Sequence, residues 1–299
     1  MNAGVKRHMT WFDVLNYSFL FLLMFVLLYP FINQLAISLN DGKDASRGGI
    51  YFLPRKLSFD SYIHVLGNPN LIRSAFISVL RVVVGTGTSV FATGLLAYLI
   101  SQKEFSARKW IRLIFIFTMY FSGGLIPFYL LIMRLRLMNT FHVYWIPSLL
   151  NPFYMMLIAA YIMDLPDSLT QSARIDGASE FTIYMRIILP ISLPVFATIA
   201  IYSGVGHWNS WFDVALYNPG KQWDTLQIIL QRLINTLEST QKIADSMRDA
   251  REIESMARNI SSISVRAATT MVVTIPIICI YPFFQKFFIG GLTTGAVKG

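Results

Sequence analysis

Charge is scarce in this sequence. Asp, Glu, Lys and Arg together make up 14% of the 299 residues, where a soluble domain carries about a quarter. The deficit argues against an ordinary soluble domain, because hydrocarbon offers charge no solvent. Cysteine is scarcer still. The single Cys279 lies in an apolar run. It excludes an internal disulfide, lacks the partners of a metal site and reads as a packing residue. His8, His64, His142 and His207 show no metal-ligand spacing. No Ser-His-Asp or paired-carboxylate constellation can be assembled. No G-x-x-x-x-G-K-[ST] phosphate loop occurs, since Gly42-Lys43 and Gly220-Lys221 lack the second glycine and the following Ser or Thr. The chain is expected to carry no catalytic residue, no metal and no cofactor.

What is present is apolar: 55% of the residues are hydrophobic. Six stretches stand out, at about 11–39, 74–100, 113–133, 143–163, 188–212 and 267–289. Each is long enough to cross a hydrocarbon core of about 30 Å. The expected fold is an all-α polytopic membrane protein with six transmembrane helices, a single domain over 1–299. Lys6 and Arg7 precede the first stretch as in a signal peptide. That stretch is too long for a typical signal core and no clear cleavage site follows it, so it reads as a retained span. Pro30, Pro127, Pro147, Pro152, Pro194, Pro276 and Pro282 interrupt spans, which is tolerated where neighbours satisfy the freed carbonyls. Gly85, Gly87 and Gly94 would let helices approach closely.

The formal net charge is +9. In a membrane protein this balance fits anionic lipid headgroups and loop orientation, and no nucleic-acid-reading motif is present. The short loop between the second and third stretches holds Lys103, Arg108, Lys109 and Arg112 against Glu104, and short basic loops stay inside. Both termini and the 164–187 segment are then cytoplasmic. Arg134, Arg136 and several bases in 41–73 fall on the other side. The outer loop 213–266 includes a stretch with helical apolar spacing and mixed charge, expected to form an amphipathic helix or hairpin outside the membrane.

The polar segment 164–187 separates two spans. Asp167 or Ser168 can cap a short helix. Asp176-Gly177 breaks it, because glycine takes a positive φ without strain. A second helix can start near Ala178 or Ser179. Such a helix–turn–helix could seat in a groove on a partner, the small Ala173, Gly177 and Ala178 permitting close approach, or it could be an ordinary interfacial loop.

The residue order Gln171-Ser172-Ala173, Gly177, Ile187, Leu189-Pro190 resembles the EAA loop of ABC importer permeases in every spacing. Gln171 and Ser172 replace the usual Glu and Ala, so Gln171 brings no charge. Residues 208–220, WNSWFDVALYNPG, and the C-terminus GGLTTGAVKG resemble the carbohydrate-uptake class typified by the maltose transporter, specifically its second, MalG-like permease. The 213–266 segment and YPFFQKFFIGG resemble a branch importing fragments of polysaccharides such as alginate and pectin.

That resemblance implies a bacterial inner-membrane importer subunit working by alternating access. Its partners would be a MalF-like permease, two ABC ATPase subunits and an extracytoplasmic solute-binding protein. ATP and Mg would sit on the ATPases. It implies ATPase docking through Gln171, Ser172, Ala173, Arg174, Asp176, Gly177 and Ala178. It also places the tail, with Gly291, Leu292, Gly295 and Lys298, near the ATPases. Arg81, inside the second stretch, is either functional or paired with a headgroup or carbonyl. Trp208, Asn209 and Trp211 can anchor at the interface or stack on sugar rings, and Tyr154 and Tyr202 are open to the same two readings. A self-sufficient secondary transporter would want acids within the spans, which hold almost none. A non-transporting scaffold would lack a polar cavity.

Overall fold

The structure is a computed structural model and describes residues 10–246 and 261–296. Lys298 lies outside the described residues, and of Gly291, Leu292 and Gly295 the backbone alone is described. Internal contacts group the chain into two compact units, Met1–Asn68 with Leu233–Thr274 and Pro69–Arg232 with Ile275–Gly299.

In the first unit, α1 (Trp11–Ser38) opens with a reciprocal cap. Thr10 Oγ1 accepts from the Asp13 amide while the Asp13 carboxylate accepts from the Thr10 amide at 2.9 Å. At 28 residues it is about 42 Å long, enough to cross a bilayer. Short helices α2 (Gly42–Ala45) and α3 (Asp60–Leu66) follow. The buried Asn40 accepts from the Lys56 amide at 2.8 Å, beside a lone antiparallel bridge to Leu57.

The second unit is built on α4 (Pro69–Ser101), whose 33 residues include the second stretch. It packs against α7 (Pro152–Met163) and α11 (Leu193–Asn209) around Tyr98, Met155, Ile158, Tyr184 and Ile199. Two glycines make the approach possible. At Gly94 an added Cβ would lie 2.3 Å from Phe196 Cε1, and at Gly85 it would lie 2.5 Å from His207 Nε2. Gly87 meets nothing within 4 Å.

Three expected spans take a different form. The third is not one helix. It is α5 (Arg108–Tyr120) and α6 (Leu125–Arg134), bent by 119° at residues 121–124, where Gly124 has φ +85°. An extended Phe121 followed by Ser122-Gly123-Gly124 cannot carry the helical ladder across. The fourth begins irregularly, with a 3₁₀ turn at Phe141–Tyr144, and becomes α-helical at Pro152. The Asn151 side chain caps that start by accepting from the Tyr154 amide at 3.0 Å, and Pro152 stands where no helical donor is needed. The resulting 12-residue α7 spans about 18 Å. In the fifth, residues 180–191 turn away from α11 by 83°, so the straight span starts at Leu193. Pro194, in its first turn, has no amide to join the preceding helix.

Between these lie α8 (Ser168–Ile175), α9 (Glu180–Ile183), a π-helical turn at Tyr184–Ile188 and α10 (Leu189–Ile191). After α11 come α12 (Phe212–Tyr217), α13 (Leu226–Ser246) and, last among the described residues, α14 (Ser261–Ala296). Cys279, expected to pack, is exposed on α14. Among the described residues, three helices are long and apolar enough to span (α1, α4 and 263–280 of α14). The two bent pairs and the shorter apolar α7 account for the rest of the six stretches.

Candidate functional site

The helix–turn–helix at 168–183 forms as its residue types dictate. Gly177 adopts φ +78°. The Ala178 amide donates to the Ala173 carbonyl and the Gly177 amide to the Arg174 carbonyl, both at 3.0 Å. This Schellman closure satisfies the last carbonyls of α8. Ser179 Oγ then caps α9 by accepting from the Thr182 amide. Asp167, at the N-cap position of α8, makes no capping bond and pairs instead with Lys103 Nζ at 2.5 Å.

The turn is bolted to the C-terminal end of α4. Arg174 Nε donates to Glu180 Oε1 at 2.8 Å and Arg174 Nη2 to Gln102 Oε1 at 2.6 Å. Glu104 lies 3.8 Å from Arg174 Nη1. The Tyr98 hydroxyl donates to Glu180 Oε2 at 2.5 Å. The hydrogen bond from Arg174 holds the Glu180 carboxyl below its usual value, outweighing an opposing desolvation, and the Tyr98 hydroxyl adds to the lowering. The hydrogen bond to Glu180 likewise raises Arg174.

These contacts sort the seven residues that sequence singles out. Ala173, Arg174 and Ala178 turn inward and are half-buried, Ala173 and Ala178 against the core. Gln171, Ser172, Asp176 and Gly177 face out. Sequence reading passes over Ile175, whose side chain is 85% exposed at the tip of α8. Its spacing, four residues after Gln171 on the same helical face, is the signal that could have found it.

A second feature lies on α4. Arg81 is 3% exposed, and its guanidinium forms an ion pair with Asp213 of α12. Sequence offers a headgroup or a carbonyl as its partner. The structure supplies a carboxylate 132 positions away, with the Ser210 carbonyl only a weak second acceptor at 3.5 Å. Asp213 Oδ1 also accepts from Ser210 Oγ at 2.7 Å and the Val214 amide at 2.9 Å. The Arg81 guanidinium carbon stands 4.7 Å from the Tyr144 ring centroid. The Tyr144 hydroxyl is held by the Trp223 carbonyl at 2.9 Å.

Beside the pair is a cavity of about 360 Å³, lined in part by Ser89, Tyr144, Asn151, Tyr154, Tyr202 and His207. It brings together Arg81, Tyr154 and Tyr202 from the residues expected on a pathway. It does not include the other three. Trp208 lines a separate apolar groove with Val83, Gly87 and Pro276. Asn209 accepts from Gln227 at 3.3 Å. Trp211 meets Phe212 edge-on. Sequence reading had no means to place Tyr144, Asn151 and His207 in one wall, since they come from separate elements.

Residues 90–294 match the family described as binding-protein-dependent transport system inner membrane component. The chain is 34% identical to Protein LplC of Bacillus subtilis (strain 168) over 289 residues, 96% of this chain and 95% of that one. It is 30% identical over 289 residues to the polygalacturonan/rhamnogalacturonan transport system permease protein YtcP of the same organism, covering 96% and 98%. Among solved structures, it superimposes on a chain of a bacterial ABC transporter involved in import of the acidic polysaccharide alginate. The TM-score is 0.82 at 26% identity, covering 96% of this chain and all of that one. An all-helical membrane fold with an EAA-type helix–turn–helix, matched over most of its length, belongs to the inner membrane components of binding-protein-dependent transport systems.

Proposed function

We propose that this chain is the MalG-like permease subunit of an ABC importer for oligosaccharides, with both termini cytoplasmic. It would pair with a MalF-like permease and receive substrate from an extracytoplasmic binding protein. Two ABC ATPase subunits would hold the ATP and Mg, and this chain would hydrolyse none. The substrates are fragments of polysaccharides, the class to which a polygalacturonan/rhamnogalacturonan permease and an alginate importer among its relatives point.

The observation that carries the reading is the braced turn at 168–183. A permease driven by a separate ATPase needs a stiff lever, since a flexible loop would absorb the ATPase's closing movement. Here α8 is tied to α4 through Arg174, Glu180, Tyr98 and Gln102, and again through Asp167 and Lys103. The docking face is then Gln171, Ser172, Ile175, Asp176 and Gly177, with Ile175 as its apolar anchor. Ala173, Arg174 and Ala178 act as the strut behind it. Gln171 reaches the ATPase by hydrogen bond, without the usual charge. The tail, with Gly291, Leu292, Gly295 and Lys298, would lie near the same ATPases.

The test is the complete importer in vesicles. Ile175→Asp should cut ATP hydrolysis stimulated by the loaded binding protein by about tenfold or more, as loss of an interface anchor does. The variant should also co-purify poorly with the ATPase subunits. Undiminished association and stimulation would overturn the docking face.

A further inference from the structure

We propose that the cavity beside the Arg81–Asp213 pair is a sugar subsite of this subunit that accepts an uncharged, hydroxyl-rich unit and refuses a carboxylate. The proposal rests on the reading of the chain as an oligosaccharide permease.

Two observations point to it. The first is shape and chemistry. A cavity of about 360 Å³ is in the range of small-molecule sites. Its wall combines aromatic rings, Phe128, Tyr144 and Tyr154, with hydroxyl and amide groups from Ser89, Ser148 and Asn151. A sugar ring asks for both, an aromatic surface for its C–H face and hydrogen-bonding groups for its rim.

The second is charge. Among the lining residues the formal charges are Arg81 and Asp213, which cancel. Asp213 is held by two guanidinium nitrogens, by Ser210 Oγ and by the Val214 amide. A sugar carboxylate could reach Arg81 only by stripping Asp213 from these donors. Asp213 would then be a poorly solvated carboxylate without a cation, a costly state. An uncharged unit imposes no such exchange.

A saccharide of mixed composition would therefore set its uncharged unit in this cavity.

The experiment uses the complete importer in vesicles. Uptake of matched neutral and uronate oligosaccharides is compared for wild type, Asp213→Asn and the double variant Arg81→Gln/Asp213→Asn. Asp213→Asn leaves Arg81 unpaired and should raise the uronate-to-neutral ratio of kcat/KM by about tenfold. The double variant is neutral again and should return the ratio to within about threefold of wild type. The binding protein and other subunits are unchanged throughout, so a shift reports this cavity. Should Asp213→Asn fail to assemble, Tyr154→Phe is the second arm, and it should raise KM for the neutral saccharide by about threefold or more. An unchanged ratio in an assembled Asp213→Asn importer, or an unchanged KM in Tyr154→Phe, overturns the subsite. A wild-type importer that moves no oligosaccharide overturns the import reading and this proposal with it.

Discussion

Gly94 leaves no room for a side chain. A methyl group there would lie 2.3 Å from Phe196 Cε1 and 2.7 Å from the Tyr184 hydroxyl, both in the core where α4 meets α11 and the π-helical turn. Gly94→Ala should therefore destabilise the protein by about 1–3 kcal/mol, the usual cost of overpacking, read as a lower midpoint of thermal unfolding in detergent. Arg81 makes a complementary case. Arg81→Met strands a partly buried Asp213 carboxylate and should cost about 3–5 kcal/mol. The double variant Arg81→Met/Asp213→Leu should unfold at a higher temperature than Arg81→Met alone. Sequence reading could flag Arg81 as a charge inside a span, but its partner lies 132 residues on, at a distance no local pattern encodes.

At the scale of the element, the braced turn predicts its own sensitivities. Gly177 has φ +78°, so Gly177→Ala should cost about 1 kcal/mol locally and weaken coupling between ATP hydrolysis and uptake. Glu180 gives the turn a pH dependence. Its carboxyl sits lower in the folded protein than in the unfolded chain, so the stabilisation is complete above the unfolded value of about 4.3 and is lost as pH falls through the folded value. Unfolding midpoints measured down to about pH 3 should drop more steeply for wild type than for Glu180→Gln. The turn itself was legible, since Asp176-Gly177 and a cap at Ser179 are local signals. The direction of Arg174 was not. A spacing match names the residue, but its four polar neighbours decide that it faces inward. The third stretch failed for a related reason. Apolar composition promises a span, while Ser122-Gly123-Gly124 permits a 119° bend that composition does not register.

At the scale of the whole molecule, the protein's surface is that of a membrane subunit. Of the most apolar stretch of α1, 6% is buried, leaving Phe21, Phe25 and Leu27 open to lipid or a partner. Topology gives a prediction here. Lys103 pairs with Asp167, so the loop after α4 and the turn before α9 lie at one level of the second unit. Reporters inserted after Glu104 and after Gly177 should report the same side of the membrane, and the basic loop predicts that this side is the cytoplasm. Opposite readings would overturn the orientation.

The sequence by itself determined the membrane class, because hydropathy over about 20 residues is a local sum. It determined the EAA-like order and its turn, because spacing and glycine conformation act within a few residues. Only the tertiary structure decided that Arg81 answers Asp213, that Arg174 braces the turn while Ile175 faces out, and that Tyr144, Tyr154, Tyr202 and His207 share one cavity. The reason is physical. A charge or a hydroxyl inside a helical bundle must find a partner through space, and which partner lies within 3 Å depends on how distant helices pack.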